Sequence, residues 1–105
     1  MTALTNAKHQ NAFIQHRGDT LSPTIKPGQW VEIDPNTNVF TGPGVYLTAW
    51  SHFKPQPHYP RQIPQLRRLD YIDGVLHSVP DNPLYPPFKV DVGDVLFGGK
   101  VVGLT

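Results

Sequence analysis

The fold is decided by the stretch Arg17-Gly18-Asp19-Thr20-Leu21-Ser22-Pro23-Thr24-Ile25-Lys26-Pro27-Gly28-Gln29, which is followed by Trp30-Val31-Glu32-Ile33-Asp34. Gly18 and Gly28 can adopt a positive φ without a steric penalty, whereas Pro23 and Pro27 fix φ and remove backbone donors. The residues after Gln29 are β-prone and end at a turn signal. The sequence therefore predicts a structured loop that leads into a strand and presents a side chain at a defined position.

Short β-prone runs separated by turn residues continue on both sides of this loop. Asp34-Pro35-Asn36 and Asp73-Gly74 predict turns, the second of them in a hairpin. Four prolines between residues 51 and 65 predict an extended, polyproline-like segment. The pattern predicts an all-β fold without helices, with strands over residues 12–16, 30–34, 45–50, 66–71, 75–79, 88–90, 95–97 and 100–104.

The composition indicates one small globular domain. The chain has 105 residues, of which 38% are hydrophobic, and its 12 prolines and 9 glycines favour turns over long helices. We expect a flexible arm over residues 1–11 and a single domain over residues 12–105. A net charge of +1 does not indicate a broad nucleic-acid surface, and no apolar run is long enough to cross a membrane. The absence of cysteine is consistent with a reducing, cytoplasmic location.

An ordered set of motifs resembles the C-terminal peptidase domain of LexA and the phage repressors. In chain order they are Gly18-Asp19-Thr20-Leu21-Ser22-Pro23, Ile25, Gly28-Gln29, Val31-Glu32-Ile33-Asp34, Gly44-Val45-Tyr46-Leu47, Leu66-Arg67-Arg68-Leu69, the loop Ser78 to Pro87, and Gly98-Gly99-Lys100-Val101-Val102-Gly103. Each motif alone is weak, and their order over residues 13–104 carries the resemblance. It implies compact, bent antiparallel sheets with the loop from Gly18 to Gly28 at the former active site.

The resemblance also implies that the catalytic dyad is degenerate. Thr20 stands where the family has its nucleophilic serine, and Arg67 stands at the position of the catalytic lysine. A desolvated lysine can lose its proton and act as a base, but a guanidinium stays protonated. We therefore expect a domain without peptidase activity. The alternative is a self-cleaving peptidase domain that uses Thr20 or Ser22.

Two other groups of residues suggest sites, and both suggestions are weak. The five histidines lack the spacing of a metal site, so we expect surface or loop histidines and no metal or other cofactor. A small basic and aromatic patch could form from Arg61, Arg67, Arg68, Tyr59 and Tyr71. Trp30 and Trp50 are expected in or beside the core.

The resemblance implies that the domain associates with itself or with a repressor. The 19 residues before Thr20 are too few for a helix-turn-helix, so we expect DNA contact only through a separate DNA-binding domain. Terminal strands commonly lie at a sheet edge, where backbone groups are open to pairing. We therefore expect a two-fold homodimer, with Val95, Val101, Val102 and Leu104 in the interface. The alternative is a monomer in which this edge is covered.

Overall fold

The computed structural model describes residues 10–104, which form one antiparallel sheet of seven strands in the order β1-β2-β7-β3-β4-β5-β6. The strands are β1 (Ala12–Gln15), β2 (Trp30–Asp34), β3 (Gly44–Trp50), β4 (Gln65–Ile72), β5 (Val75–Ser78), β6 (Phe88–Lys89) and β7 (Val95–Leu104). One turn of 3-10 helix over Val92–Asp94 precedes β7. The all-β prediction is confirmed, since these residues contain no α-helix.

The predicted turns and most of the predicted strands are confirmed. Asp73 and Gly74 both have positive φ and join β4 to β5, as a tight hairpin requires. The Asp34 carboxylate accepts hydrogen bonds from the Asn36 amide and the Thr37 hydroxyl, which closes the turn after β2. Most of the predicted N-terminal arm, residues 1–9, lies outside the described residues. Within residues 10–104, no helix is long and apolar enough to cross a membrane.

The last strand differs from its prediction in two ways. The strands predicted over residues 95–97 and 100–104 are one strand, because β7 continues through Gly98 and Gly99 with shifts of register. The prediction that this strand lies at a sheet edge is wrong, since β7 lies between β2 and β3. Its first half pairs with β3 and its second half with β2, and the two registers overlap at Lys100.

The central strands carry apolar side chains on both faces, so the protein has two core clusters. One contains Leu21, Ile25, Val31, Ile33, Val45 and Leu66, and the other contains Tyr46, Leu69, Val90 and Val95. Alternation along β3 and β4 sends neighbouring residues to opposite clusters. β7 supplies Val95 and Phe97 to the second cluster but Val101 to the first. The irregularity after Phe97 permits this change of face, because one extra residue reverses the alternation.

The loop before β2 is anchored in the first cluster, which explains how Thr20 is held in place. Leu21 and Ile25 are each 1% exposed, and the Ile25 amide donates to the Leu21 carbonyl at 2.9 Å. Gly28 has the positive φ that the sequence predicted, and its amide donates to the His16 carbonyl. Thr20 therefore lies on a segment with a fixed backbone.

Candidate functional site

Thr20 and Arg67 line one cavity of about 380 Å³, here called the Thr20 cavity. Thr20 comes from the loop before β2, and Arg67 comes from the first half of β4. The other lining residues are Leu21, Gln65, Leu66, Arg68, Ser78, Pro80, Tyr85, Pro86 and Phe88. The structure thus brings together the two positions that the resemblance had singled out.

A second loop holds the Thr20 segment through hydrogen bonds. The Asn82 amide donates to the Thr20 carbonyl at 3.0 Å, and the Asn82 side-chain amide donates to the Asp19 carbonyl at 3.0 Å. The Tyr85 hydroxyl donates to the Asp19 carboxylate at 2.7 Å. Asn82 also caps its own turn, because its side-chain oxygen accepts from the Leu84 amide. Two segments more than 60 residues apart in sequence therefore form one wall of the cavity.

Arg68 belongs to this structural framework. Its guanidinium binds the Asp81 carboxylate at 2.6 Å, the one salt bridge found within residues 10–104. Burial on its own would raise the pKa of Asp81, but hydrogen bonds from Arg68 and Thr24 lower that pKa below its ordinary value. The hydrogen bond to Asp81 raises the pKa of Arg68. This pairing leaves Arg67 as the arginine of β4 without a carboxylate partner among residues 10–104.

The Arg67 guanidinium is held between aromatic rings. Its central carbon lies 5.0 Å from the Trp50 ring centroid and 5.7 Å from that of Phe88. Burial lowers the pKa of Arg67, but a guanidinium has so high an ordinary pKa that the group stays charged. Its side chain forms no hydrogen bond or salt bridge with any residue that the structure describes. Arg67 cannot replace a lysine as a base.

The described residues that line the Thr20 cavity do not include the bases that most often activate a hydroxyl. No lysine, histidine or carboxylate is among its described lining residues. The Thr20 hydroxyl makes no hydrogen bond within the described part of the chain, and Ser22 does not line the cavity. A hydroxyl is a weak nucleophile until a neighbouring base takes its proton.

His16 lies in the loop after β1, which the expectation of surface or loop histidines allows, but its burial was not expected. This residue is 3% exposed, and both of its ring nitrogens are buried without a hydrogen-bond partner among residues 10–104. Burial lowers the pKa of His16, and the Asp19 carboxylate opposes this effect. By contrast, His52 is exposed and stacks on Trp50 at 5.8 Å. No group of three potential metal ligands occurs among the described residues.

The predicted basic and aromatic patch is only partly correct. Arg67, Arg61 and Tyr59 do lie together, in a second cavity of about 310 Å³ that also contains Trp50 and is here called the Trp50 cavity. Arg68 lies elsewhere because it pairs with Asp81, and Tyr71 lines a different cavity. The proline-rich segment supplies much of the lining of the Trp50 cavity. It contains a tight turn in which Gln56 and Tyr59 exchange two backbone hydrogen bonds, where an extended chain was predicted.

The four residues expected in a dimer interface have different environments. Val95 is 8% exposed and belongs to the core, so it is not available for association, and Val101 packs against the first cluster. Val102 and Leu104 are 54% and 52% exposed. Trp30, expected in or beside the core, is 49% exposed instead, whereas Trp50 packs against the second cluster as predicted.

The sequence analysis assigned no individual role to three residues in or beside these cavities. Tyr85 and Asp19 were noted only as parts of motifs, although their contact ties the two loops together. Gln62 forms two hydrogen bonds with the backbone of Trp50, through its side-chain amide and its side-chain oxygen. Nothing in the local sequence around Gln62 indicates this contact, because its partner lies 12 residues away.

Comparison with known proteins finds no matching family model and no matching curated protein.

Proposed function

We propose that this chain is a non-catalytic regulatory domain that acts by self-association or by pairing with a repressor. It would be a degenerate member of the LexA and phage-repressor type, working in the cytoplasm as the oligomerisation module of a transcriptional repressor. Contact with DNA would be made by a separate DNA-binding domain. The observation that carries this proposal is that Thr20 and Arg67 line one cavity whose described lining residues include no lysine, histidine or carboxylate.

The construction of the cavity supports a relationship with a peptidase site. The loop carrying Thr20 is fixed by two buried side chains and by the hydrogen bonds from Asn82. A site that presents a nucleophile needs this kind of support. Three of the ordered motifs contribute lining residues to this cavity although they are distant along the chain: Gly18 to Pro23, Leu66 to Leu69 and the loop Ser78 to Pro87. Rigid architecture without a base is consistent with descent from an active enzyme.

The exposed apolar residues near the end of β7 support the role in association. Phe13 and Trp30 lie on the outer face of β1 and β2, opposite the core residues Ile14 and Val31. Val102 is exposed on the neighbouring strand. Tryptophan is frequent among the residues that dominate binding energy at interfaces. We place the association surface on this outer face and retain Val102 from the original prediction. Leu104 is also exposed, but it pairs with Val31 and therefore lies on the opposite face of the sheet.

An activity-based probe tests the loss of catalysis. The intact protein should resist labelling by a fluorophosphonate, which reacts with activated hydroxyls, and should remain uncleaved at alkaline pH. The double variant Thr20→Ser/Arg67→Lys should react with the probe, because it removes the methyl group that crowds the hydroxyl and introduces a potential base at the second position. Labelling of the unmodified protein that disappears in Thr20→Ala would show that the domain is an enzyme. An unreactive double variant would remove the support for a peptidase-like ancestor.

Sedimentation over a wide concentration range tests the association. We expect a dimer that Val102→Lys weakens, because a charged side chain would be buried at the interface. Val75→Lys is the matched control, since Val75 is also an exposed strand valine, at 43%, but lies on β5. A protein that remains monomeric at high micromolar concentration would contradict self-association. Equal weakening by both variants would place the interface elsewhere.

The second candidate is a peptidase domain that uses Thr20 or Ser22. The position of Thr20 in the lining of a cavity favours this reading. It predicts a discrete fragment at alkaline pH that is lost in Thr20→Ala or in Ser22→Ala. The labelling experiment distinguishes it from the non-catalytic reading.

A further inference from the structure

The Arg67 guanidinium has unused hydrogen-bonding capacity. Its two aromatic neighbours contact the face of the group, at 5.0 Å from Trp50 and 5.7 Å from Phe88. Cation–π contacts of this kind leave the N–H groups at the edge of the guanidinium unsatisfied. None of its nitrogens is among the fully buried, unpartnered side-chain atoms of residues 10–104, which are confined to His16. The donors of Arg67 are therefore accessible from the adjoining space.

The adjoining Trp50 cavity has the walls of a small-molecule site. Arg67 lies on one side and Arg61 contributes a second cation. Phe53, Tyr59 and Ile63 supply apolar surface. Its volume of about 310 Å³ is at the lower end of the range typical of ligand pockets.

Hydrogen bonds hold the proline-rich side of the Trp50 cavity in place before any ligand binds. The side chain of Gln62 bonds to both the amide and the carbonyl of Trp50, so the proline-rich segment is attached to β3. The backbone bonds between Gln56 and Tyr59 stabilise the turn that carries Tyr59. Preorganisation of this kind reduces the entropy lost on binding.

The charges around the cavity favour an anion. No carboxylate is among the described lining residues of either cavity that Arg67 reaches. Asp81, which could have neutralised a neighbouring arginine, is already bound to Arg68. The chain as a whole has a net charge of only +1, so the positive potential here is local.

We propose that the Trp50 cavity binds a small organic anion, in which a carboxylate or phosphate is bound by Arg67 and an apolar body lies against Phe53, Tyr59 and Ile63. A planar guanidinium can donate two parallel hydrogen bonds to either oxyanion. Arg61 strengthens the attraction from the rim. The site is independent of the proposed association surface, because none of its residues lies on β1, β2 or β7. In this proposal the proline-rich segment has a role, because it forms one wall of the binding pocket.

Titration of the ¹⁵N-labelled full chain with phenyl phosphate tests this proposal, observed through the Nε–H signals of its four arginines. The Arg67 signal should shift and saturate, whereas the Arg68 signal should stay constant because that group is bound to Asp81. Benzoate in a parallel titration separates a carboxylate ligand from a phosphate ligand. Inorganic phosphate should bind at least tenfold more weakly, because it lacks the apolar body, and phenol should leave Arg67 unchanged because it lacks the charge.

Variants identify the residues that bind the anion. Arg67→Gln should weaken binding of phenyl phosphate at least tenfold, with the indole signal of Trp50 as the readout. Arg61→Gln should weaken it about threefold, and this substitution of an exposed side chain leaves the fold intact. Lys26→Gln removes the same charge from an exposed turn outside both cavities and should have no effect at physiological salt, where charges separated by more than about 8 Å are largely screened.

Three results would overturn the proposal. The first is a shift of all four arginine signals that does not saturate with either organic anion, which indicates general charge screening. The second is equal affinity for inorganic phosphate and phenyl phosphate, which contradicts a role for the apolar walls. The third is equal weakening by Arg61→Gln and Lys26→Gln, which places the effect in the overall charge and not in the cavity.

Discussion

The Arg68 guanidinium binds the Asp81 carboxylate through two hydrogen bonds, from Nε to Oδ1 at 2.6 Å and from Nη2 to Oδ2 at 3.0 Å. This pair joins β4 to the loop whose next residue, Asn82, holds the Thr20 segment. The Arg68 carbonyl also accepts from the Val79 amide at 2.8 Å. One residue of β4 thus positions both the backbone and the side chains of the loop that closes the Thr20 cavity.

Asp81→Asn should destabilise the protein by about 2 kcal/mol, because hydrogen bonds to charged groups contribute about 1.5–3 kcal/mol each and the amide retains part of the pairing. Urea unfolding at neutral pH measures this loss. A double-mutant cycle with Arg68→Gln isolates the interaction energy of the pair from the effects of each substitution on its surroundings. Arg61→Gln, on an exposed side chain, is the control and should be nearly neutral. If the stability losses of the two single variants add up to that of the double variant, a direct interaction is contradicted.

The same pair predicts loss of stability in acid. The pKa of Asp81 in the folded protein is below its ordinary value of about 3.9, so the folded state binds fewer protons than the unfolded state in this range. The contribution is complete above about pH 4 and is lost as the pH falls through the folded-state pKa. Asp81→Asn should remove this part of the pH dependence. If the free energy of unfolding of the variant falls with pH as steeply as before, the acid dependence comes from other carboxylates.

His16 predicts a separate loss of stability at mildly acidic pH. Its folded-state pKa is lowered by burial, so the unfolded chain takes up the proton first. Stability should therefore fall as the pH decreases below about 6.5, the ordinary pKa of histidine. His16→Leu should abolish this dependence and cause little loss of stability at pH 8, because both ring nitrogens are already unpartnered among the described residues. His58→Gln, on an exposed histidine, should leave the dependence unchanged.

Asn82→Ala should destabilise the protein by roughly 1–2 kcal/mol, since it removes the side-chain hydrogen bonds to the Asp19 carbonyl and from the Leu84 amide. Hydrogen exchange should show faster exchange of the Leu84 amide. Asn38→Ala is the control, because Asn38 is exposed. Unchanged exchange at Leu84 would show that the turn does not depend on Asn82.

Tyr46→Phe should lower the free energy of unfolding by roughly 1–2 kcal/mol, because it removes the tyrosine hydroxyl and nothing else. Tyr46 is fully buried, and its hydroxyl accepts from the Thr41 amide at 3.0 Å and donates to the Gly42 carbonyl. Phenylalanine keeps the ring contact with Phe97 but leaves both backbone groups without this partner. Thermal unfolding measures the loss. Tyr71→Phe, at a residue 51% exposed, should change little.

Local patterns in the sequence were sufficient to predict most of the strands and turns. β2 was predicted with its observed bounds, and the Asp73-Gly74 turn was predicted from two residues that tolerate positive φ. These features depend on neighbouring residues alone, so they can be read without knowledge of the rest of the fold. The prediction that Thr20 and Arg67 are close had a different basis, because it came from a family resemblance and not from their local sequence.

The tertiary structure decided how distant segments meet, and here the sequence analysis failed in a consistent way. The position of β7 between β2 and β3 depends on pairing with segments about 50 to 70 residues away, which local alternation does not encode. The burial of His16 and the pairing of Arg68 with Asp81 likewise depend on long-range contacts. The amino-acid sequence alone determined most of the residues that form strands and turns, whereas long-range packing decided which side chains became buried or paired.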